Sequence, residues 1–259
     1  MKVKDLMTKE IIYVDKDVDL KRVLDLMKKY DITKIPVVED KKIVGIITDN
    51  IIAYKLGSIR KRSISTSRLH ASSVTEKNTV KIPPNTNMKD ILKTVGDPGP
   101  TMLLIVDKEK LVGVLTKADI LPLVDSKKTV KSIMKKNILM VSPDDRVIHA
   151  RRIMIDENIA RLPVIDKGVL VGIISDMEIA FAFASLKKSF SLGRQKHQLD
   201  ELLVKSVMKP RVIWTTPFVT AAEAAKIMLK HNIGALPVME HDSIIGIVTR
   251  TDLLKTIAL

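Results

Sequence analysis

The amino-acid sequence predicts an α/β (α+β) protein in which one supersecondary unit, β-α-β-β-α, is used four times. The pattern Gly-apolar-apolar-Thr/Ser occurs as GIIT from Gly45, GVLT from Gly113, GIIS from Gly172 and GIVT from Gly246, at spacings of 68, 59 and 74 residues. Self-similarity of this kind marks a repeated structural unit. A proline stands nine residues before three of these glycines (Pro36, Pro163 and Pro237, with Leu104 in the second repeat), and a methionine stands 29 residues before each proline (Met7, Met134 and Met208, with Thr75 in the second). A third observation supplies the first helix of the unit: Leu20, Val23, Leu24 and Met27 keep the i, i+3, i+4, i+7 spacing of an apolar helix face.

Each unit opens on a strand that runs into a turn, as IIYVDKD, TVKIPPN, ILMVSPDD and VIWTTPFV. The amphipathic helix follows, and its stripe recurs as Met88, Ile91, Leu92, Val95, then Val147, Ala150, Arg151, Met154, then Ala221, Ala224, Ala225, Met228. Arg151 is the one polar residue among these positions. Two short strands come next, such as IPVVED and KIVGIIT, and a second helix starts after the Thr/Ser, as DNIIAYKL, KADILPLV, DMEIAFAFASL and RTDLLKTI. A three-stranded sheet with two helices buries too little surface alone, so the units are expected to pair. The expected division is unit 1 at 1–58, linker plus unit 2 at 59–125, unit 3 at 126–186 and linker plus unit 4 at 187–259. The basic, serine-rich stretches at 55–70 and 187–198 let units 1 and 2, and units 3 and 4, wrap around each other as two modules.

With 259 residues, 46% hydrophobic and only 3% aromatic, the chain supports sizeable aliphatic cores. It has no run of about 20 apolar residues of the kind a membrane span needs, and MKVKDLMTKE is charged where a signal peptide turns apolar. The expectation is a cytoplasmic protein with no membrane partner. The absence of cysteine excludes disulfides, thiol catalysis and zinc-thiolate sites. A formal net charge of +14 attracts anions, whether a nucleotide, a nucleic acid, an acidic lipid or an acidic protein. The five histidines (His70, His149, His197, His231, His241) lack metal-ligand spacing, and neither a nucleophile elbow nor a glycine-rich phosphate loop occurs, so no enzyme activity and no metal are expected.

The order of strand, amphipathic helix, apolar-Pro-Val strand, Gly-apolar-apolar-Thr/Ser and final helix resembles the CBS (cystathionine-beta-synthase-like) domain over almost the whole chain. Four such units resemble the gamma subunit of AMP-activated protein kinase and its stand-alone archaeal relatives. The resemblance implies two pseudo-twofold pairs closing into a disc, as a monomer or a homodimer, in a regulatory protein that binds AMP, ADP or ATP between paired units. S-adenosylmethionine ranks behind these, and the protein partner is unknown. In the family the Thr/Ser is followed three residues later by an Asp that takes the ribose hydroxyls, while the hydroxyl and helix start face the phosphate. Repeat two carries Thr116 and Asp119, and repeat four Thr249 and Asp252; repeat one carries Thr48 with Ile51, and repeat three Ser175 with Glu178. The same residues also spell a helix capping box, which Ser175 and Glu178 fit well.

The resemblance further implies phosphate cations two residues before the proline position. Lys34 and Arg161 occupy it in repeats one and three, and Met102 and Ala235 in two and four. Lys34 would then serve Asp119, and Arg161 would serve Asp252. Adenine would lie along the backbone near Ile35, Pro36, Leu162 and Pro163, with Ser142 and Thr216 from the first turn. Arg194 and Lys196 are the linker cations best placed in sequence to reach phosphates. Trp214 reads as a buried strand residue near that cleft. Two other readings stay open: a basic surface that binds nucleic acid with steep salt dependence, and a CBS scaffold that mediates assembly without a ligand.

Overall fold

A computed structural model describes residues 1–57, 68–93, 102–189 and 199–257. Repeat one contains β1 (Val14–Asp15), α1 (Leu20–Tyr30), β2 (Lys34–Glu39), β3 (Lys42–Thr48) and α2 (Asp49–Gly57). Repeat two contains β4 (Val80–Ile82), α3 (Met88–Leu92), β5 (Met102–Asp107), β6 (Lys110–Thr116) and α4 (Lys117–Ile120). In repeat three a short α5 (Val130–Ile133) precedes α6 (Val147–Asp156), β7 (Arg161–Asp166), β8 (Val169–Ser175) and α7 (Asp176–Ser189). Repeat four contains α8 (Ala221–Lys230), β9 (Ala235–Glu240), β10 (Ser243–Thr249) and α9 (Arg250–Leu254). The expected β-α-β-β-α order is present, although the opening strands of repeats three and four are single parallel bridges, Val141 to Val164 and Thr215 to Val238.

The hairpins are close copies. Each two-residue turn has two successive positive φ values, for example Asp40 at 48° and Lys41 at 64°, which is the hairpin turn whose twist matches that of the strands. Each second strand then bulges at the residue before the glycine, since Val37 pairs with Gly45 but Val38 pairs with Ile43. The apolar helix stripes are buried as predicted in α1 and α8. Helix α3 is only five residues long, and Val95 lies outside the described residues.

The glycines are explained by what crosses them. A Cβ on Gly113 would run into the Met7 side chain, one on Gly246 into Met134 and one on Gly172 into Met208, while one on Gly45 would strike the Thr75 side chain and the Glu76 carbonyl oxygen. The opening segment of each repeat is thus exchanged onto the hairpin of its neighbour in sequence, one with two and three with four.

Two compact units result. One comprises 1–11, 79–138 and 213–259 and holds repeats two and four; the other comprises 12–78 and 139–212 and holds repeats one and three. Helix α4 packs against α9 in the first, and α2 against α7 in the second. Each has its own aliphatic core, built around Ile105, Leu115, Met228 and Leu236 in one and around Leu20, Ile47, Met154 and Phe183 in the other. Among the described residues no helix is long and apolar enough to cross a membrane.

Candidate functional site

In the unit of repeats two and four, both Thr-x-x-Asp sequences form at a strand-to-helix junction. The Thr116 N–H donates to Asp119 Oδ2 at 2.6 Å and its hydroxyl donates to the same oxygen at 2.8 Å. Thr8, from the exchanged opening segment, donates to Asp119 Oδ1 at 2.8 Å. Thr249 repeats the arrangement, with its N–H 2.8 Å and its hydroxyl 2.6 Å from Asp252 Oδ2. Asp252 is buried, and every hydrogen bond that its carboxylate accepts among the described residues falls on Oδ2. The two boxes are tied together by Lys117, whose ammonium donates to Thr251 Oγ1 at 2.7 Å. Burial holds the Lys117 ammonium below the usual lysine range; Asp252 opposes that shift, while Lys255 and Lys135 add to it.

The unit of repeats one and three has different chemistry at the same place. The Ser175 N–H donates to Glu178 Oε2 at 3.0 Å, the Ser175 hydroxyl donates to the same oxygen, and Lys209 forms an ion pair with Glu178 Oε1 at 3.0 Å. In repeat one the buried Thr48 hydroxyl accepts from the Ile51 N–H at 3.2 Å, and position 51 carries no acid. The residues after the hydroxyls are acids here. Asn50 donates to Asp176 Oδ2 at 3.1 Å, linking α2 to α7. Burial and the Asp49 charge push the Asp176 carboxyl up to about 7, against Asn50, Arg161 and Arg151, which favour its charged form. Burial raises the Asp49 carboxyl as well, opposed by Lys34 and Arg161.

Lys34 and Arg161 therefore lie among carboxylates. Burial works against the Arg161 charge, and Asp49, Glu178 and Asp176 sustain it. Both cations belong to one compact unit and Asp119 and Asp252 to the other. Ile35, Pro36, Leu162 and Pro163 are buried in the hairpins, while Ser142 is exposed, with its N–H on Asp145 Oδ2 at 2.7 Å, and Thr216 is half-buried. Arg194 and Lys196 lie outside the described residues.

Trp214 is a correction: it is 53% exposed, because Thr215 beside it turns inward and strand neighbours point to opposite faces. Arg151, the odd residue of its stripe, donates to the carbonyls of Ala53 at 3.1 Å and Tyr54 at 2.8 Å, closing the end of α2. Sequence reasoning missed Thr8, Lys117, Lys209 and Asp176; the repeats mark their positions as matched, but what each side chain touches follows only from the fold. Among the described residues no group of three His, Cys, Asp or Glu side chains is arranged to hold a metal ion.

The model of the CBS domain matches the chain at residues 3–57, 71–126, 130–185 and 204–259. An uncharacterized protein of Methanocaldococcus jannaschii, MJ1404, is 29% identical over 99% of this chain, which spans 62% of that relative's length. MJ1225 of the same organism is 24% identical over 96% of each chain. The crystal structure of MJ1225, described as a proposed archaeal homolog of g-AMPK, superposes over the whole of both chains with a TM-score of 0.85. A conserved Pyrococcus horikoshii protein of 23% identity superposes over the same extent at 0.62.

Proposed function

The chain belongs to the CBS-domain family, and from that premise we propose that it is a regulatory, non-catalytic protein that binds AMP, ADP or ATP at the helix starts of repeats two and four. Asp119 and Asp252 would take the ribose hydroxyls, and occupancy would be passed to a protein partner. The observation that carries this reading is the half-used carboxylate of Asp252. The capping box consumes Oδ2, while the lone pairs of Oδ1 remain for the two hydroxyls of a vicinal diol. Lys117 already sits within the field of Asp252 and supplies positive charge for a phosphate. Glu178, by contrast, is held by Ser175 on Oε2 and by the Lys209 ammonium on Oε1, a charge-assisted pair stronger than the neutral Thr8 hydroxyl on Asp119 Oδ1, which favours a structural role in repeat three. Transmission to a partner is allosteric if the partner's affinity differs between the nucleotide-bound and nucleotide-free forms.

Isothermal titration calorimetry of refolded, ligand-stripped protein with AMP, ADP, ATP and S-adenosylmethionine tests the proposal. Saturable binding that weakens in Asp119→Asn and Asp252→Asn supports it. No heat with any of the four, together with salt-steep binding of single-stranded RNA, would overturn it in favour of the basic surface.

A further inference from the structure

In all four repeats the exchanged opening segment lies antiparallel to the strand after the glycine and forms the same bridge: Thr8 with Val114, Glu76 with Ile46, Lys135 with Ile247 and Lys209 with Ile173. In two of them the side chain at that position reaches the acid at the end of the capping box, Thr8 at Asp119 and Lys209 at Glu178. A short side chain and a long one both arrive, so the bridge sets the direction. The residue types are reciprocal. Where the helix carries the acid (Asp119, Glu178, Asp252), the opening segment offers a hydroxyl or a cation (Thr8, Lys209, Lys135); where the helix carries Ile51, the opening segment offers Glu76.

We propose that Glu76 supplies the diol-binding carboxylate of repeat one, giving this repeat a nucleoside site that its own helix does not encode. The inference rests on the adenine-ligand reading above and adds a third site to it. The Glu76 backbone is pinned on both sides, its N–H donating to the Ile46 carbonyl at 2.8 Å and its carbonyl accepting from the Ile46 N–H at 3.0 Å. Its carboxylate is exposed and makes no hydrogen bond or ion pair among the described residues, so all its lone pairs are open to a diol. With no acid at position 51, the Thr48 proton is not drawn onto a box carboxylate as those of Thr116 and Thr249 are. At the same helix start Asp49 answers the charges of Lys34 and Arg161, so little positive charge is left for a polyphosphate. The site therefore fits a nucleoside of low charge, with adenosine preferred over ATP.

The test is calorimetry on the full chain with adenosine and ATP as probes. An Asp119→Asn, Asp252→Asn double variant is expected to keep saturable adenosine binding and to bind ATP more weakly. Adding Glu76→Gln is expected to weaken adenosine about tenfold or more. Adding Glu76→Thr with Ile51→Asp, which copies the arrangement of repeat two, is expected to restore it. If the double variant binds adenosine equally with and without the Glu76→Gln change, or if it binds none while the wild type does, this inference falls and the two-site reading stands. If the wild type binds no adenine ligand at all, both fall together.

Discussion

Each compact unit brings two matched helix starts together, and the two units do so with opposite electrostatics. In repeats one and three an acid follows the hydroxyl residue (Asp49, Asp176) and a cation opens the paired strand, Lys34 opposite Thr48 and Arg161 opposite Ser175. In repeats two and four a cation follows (Lys117, Arg250) and an apolar residue opens the strand, Met102 opposite Thr116 and Ala235 opposite Thr249. Each unit has a side-chain hydrogen bond crossing between its two helices, Asn50 to Asp176 in one and Lys117 to Thr251 in the other. One backbone register thus accepts either sign, provided that the counter-charge stands nearby. Where acids and cations already answer one another, as around Arg161, little charge is left for a ligand. The unit holding Asp252 keeps an acid with lone pairs to spare.

The comparison is broken most severely by giving one unit the other's charge. Lys117→Asp turns the cation that faces Asp252 into a like charge, with only Lys135 and Lys255 among the described residues in range to answer the pair, and should cost about 4 kcal/mol. Met102→Lys in that background rebuilds the pattern of repeat one and should recover much of the loss in urea denaturation. Next in size is a pH effect confined to the other unit. Asp176 holds its proton up to about 7 in the fold, against a carboxyl that releases it near pH 4 when unfolded, so over that window the folded chain binds the extra proton. Stability should therefore fall as pH rises from about 4 to about 7, on the order of 3 kcal/mol. Asp176→Asn should flatten this slope while leaving the groups that face it, Asp49, Asn50, Arg161 and Arg151, in place.

A smaller difference lies at the exchanged segments. A Cβ on Gly45 meets the Glu76 backbone carbonyl, whereas on Gly113 it meets the flexible end of Met7. Gly45→Ala should cost about 2 kcal/mol and Gly113→Ala about 1 kcal/mol, read as midpoint shifts at constant m.

Much of this architecture is legible in the sequence because periodicity reports burial. The stripes of α1 and α8, the four hairpins and the capping boxes follow from local spacing and turn chemistry. The residue next to each hydroxyl is less legible: Asp49, Lys117 and Asp176 draw their meaning from helices far away in sequence. Arg151 looks like a flaw in an apolar stripe because its acceptors, the carbonyls of Ala53 and Tyr54, lie about a hundred residues earlier. Thr8 and Glu76 are opaque for the same reason, since the segment that carries them is exchanged onto the neighbouring repeat. Trp214 is misread from sequence because strand alternation depends on register, and a shift by one residue reverses every side chain.

The same strand provides the smallest test. Val14, Val141 and Thr215 hold matched places in repeats one, three and four, each buried and paired with the valine after the hairpin proline, Val37, Val164 and Val238. The Thr215 hydroxyl is buried and has no hydrogen-bond partner among the described residues. Valine matches threonine in shape, so Thr215→Val removes an orphaned donor without opening a cavity and should raise stability by about 1 kcal/mol. Val141→Thr transplants the same orphan into the other unit and should lower stability by a similar amount, about 1 kcal/mol. A gain in the first and a loss in the second would mean that the two cores obey one packing rule and differ only in the charges at their helix starts. A loss in Thr215→Val would instead mean that the hydroxyl is held by something bound there, and adding adenosine or AMP to the wild type and the variant would show whether that something is the nucleoside.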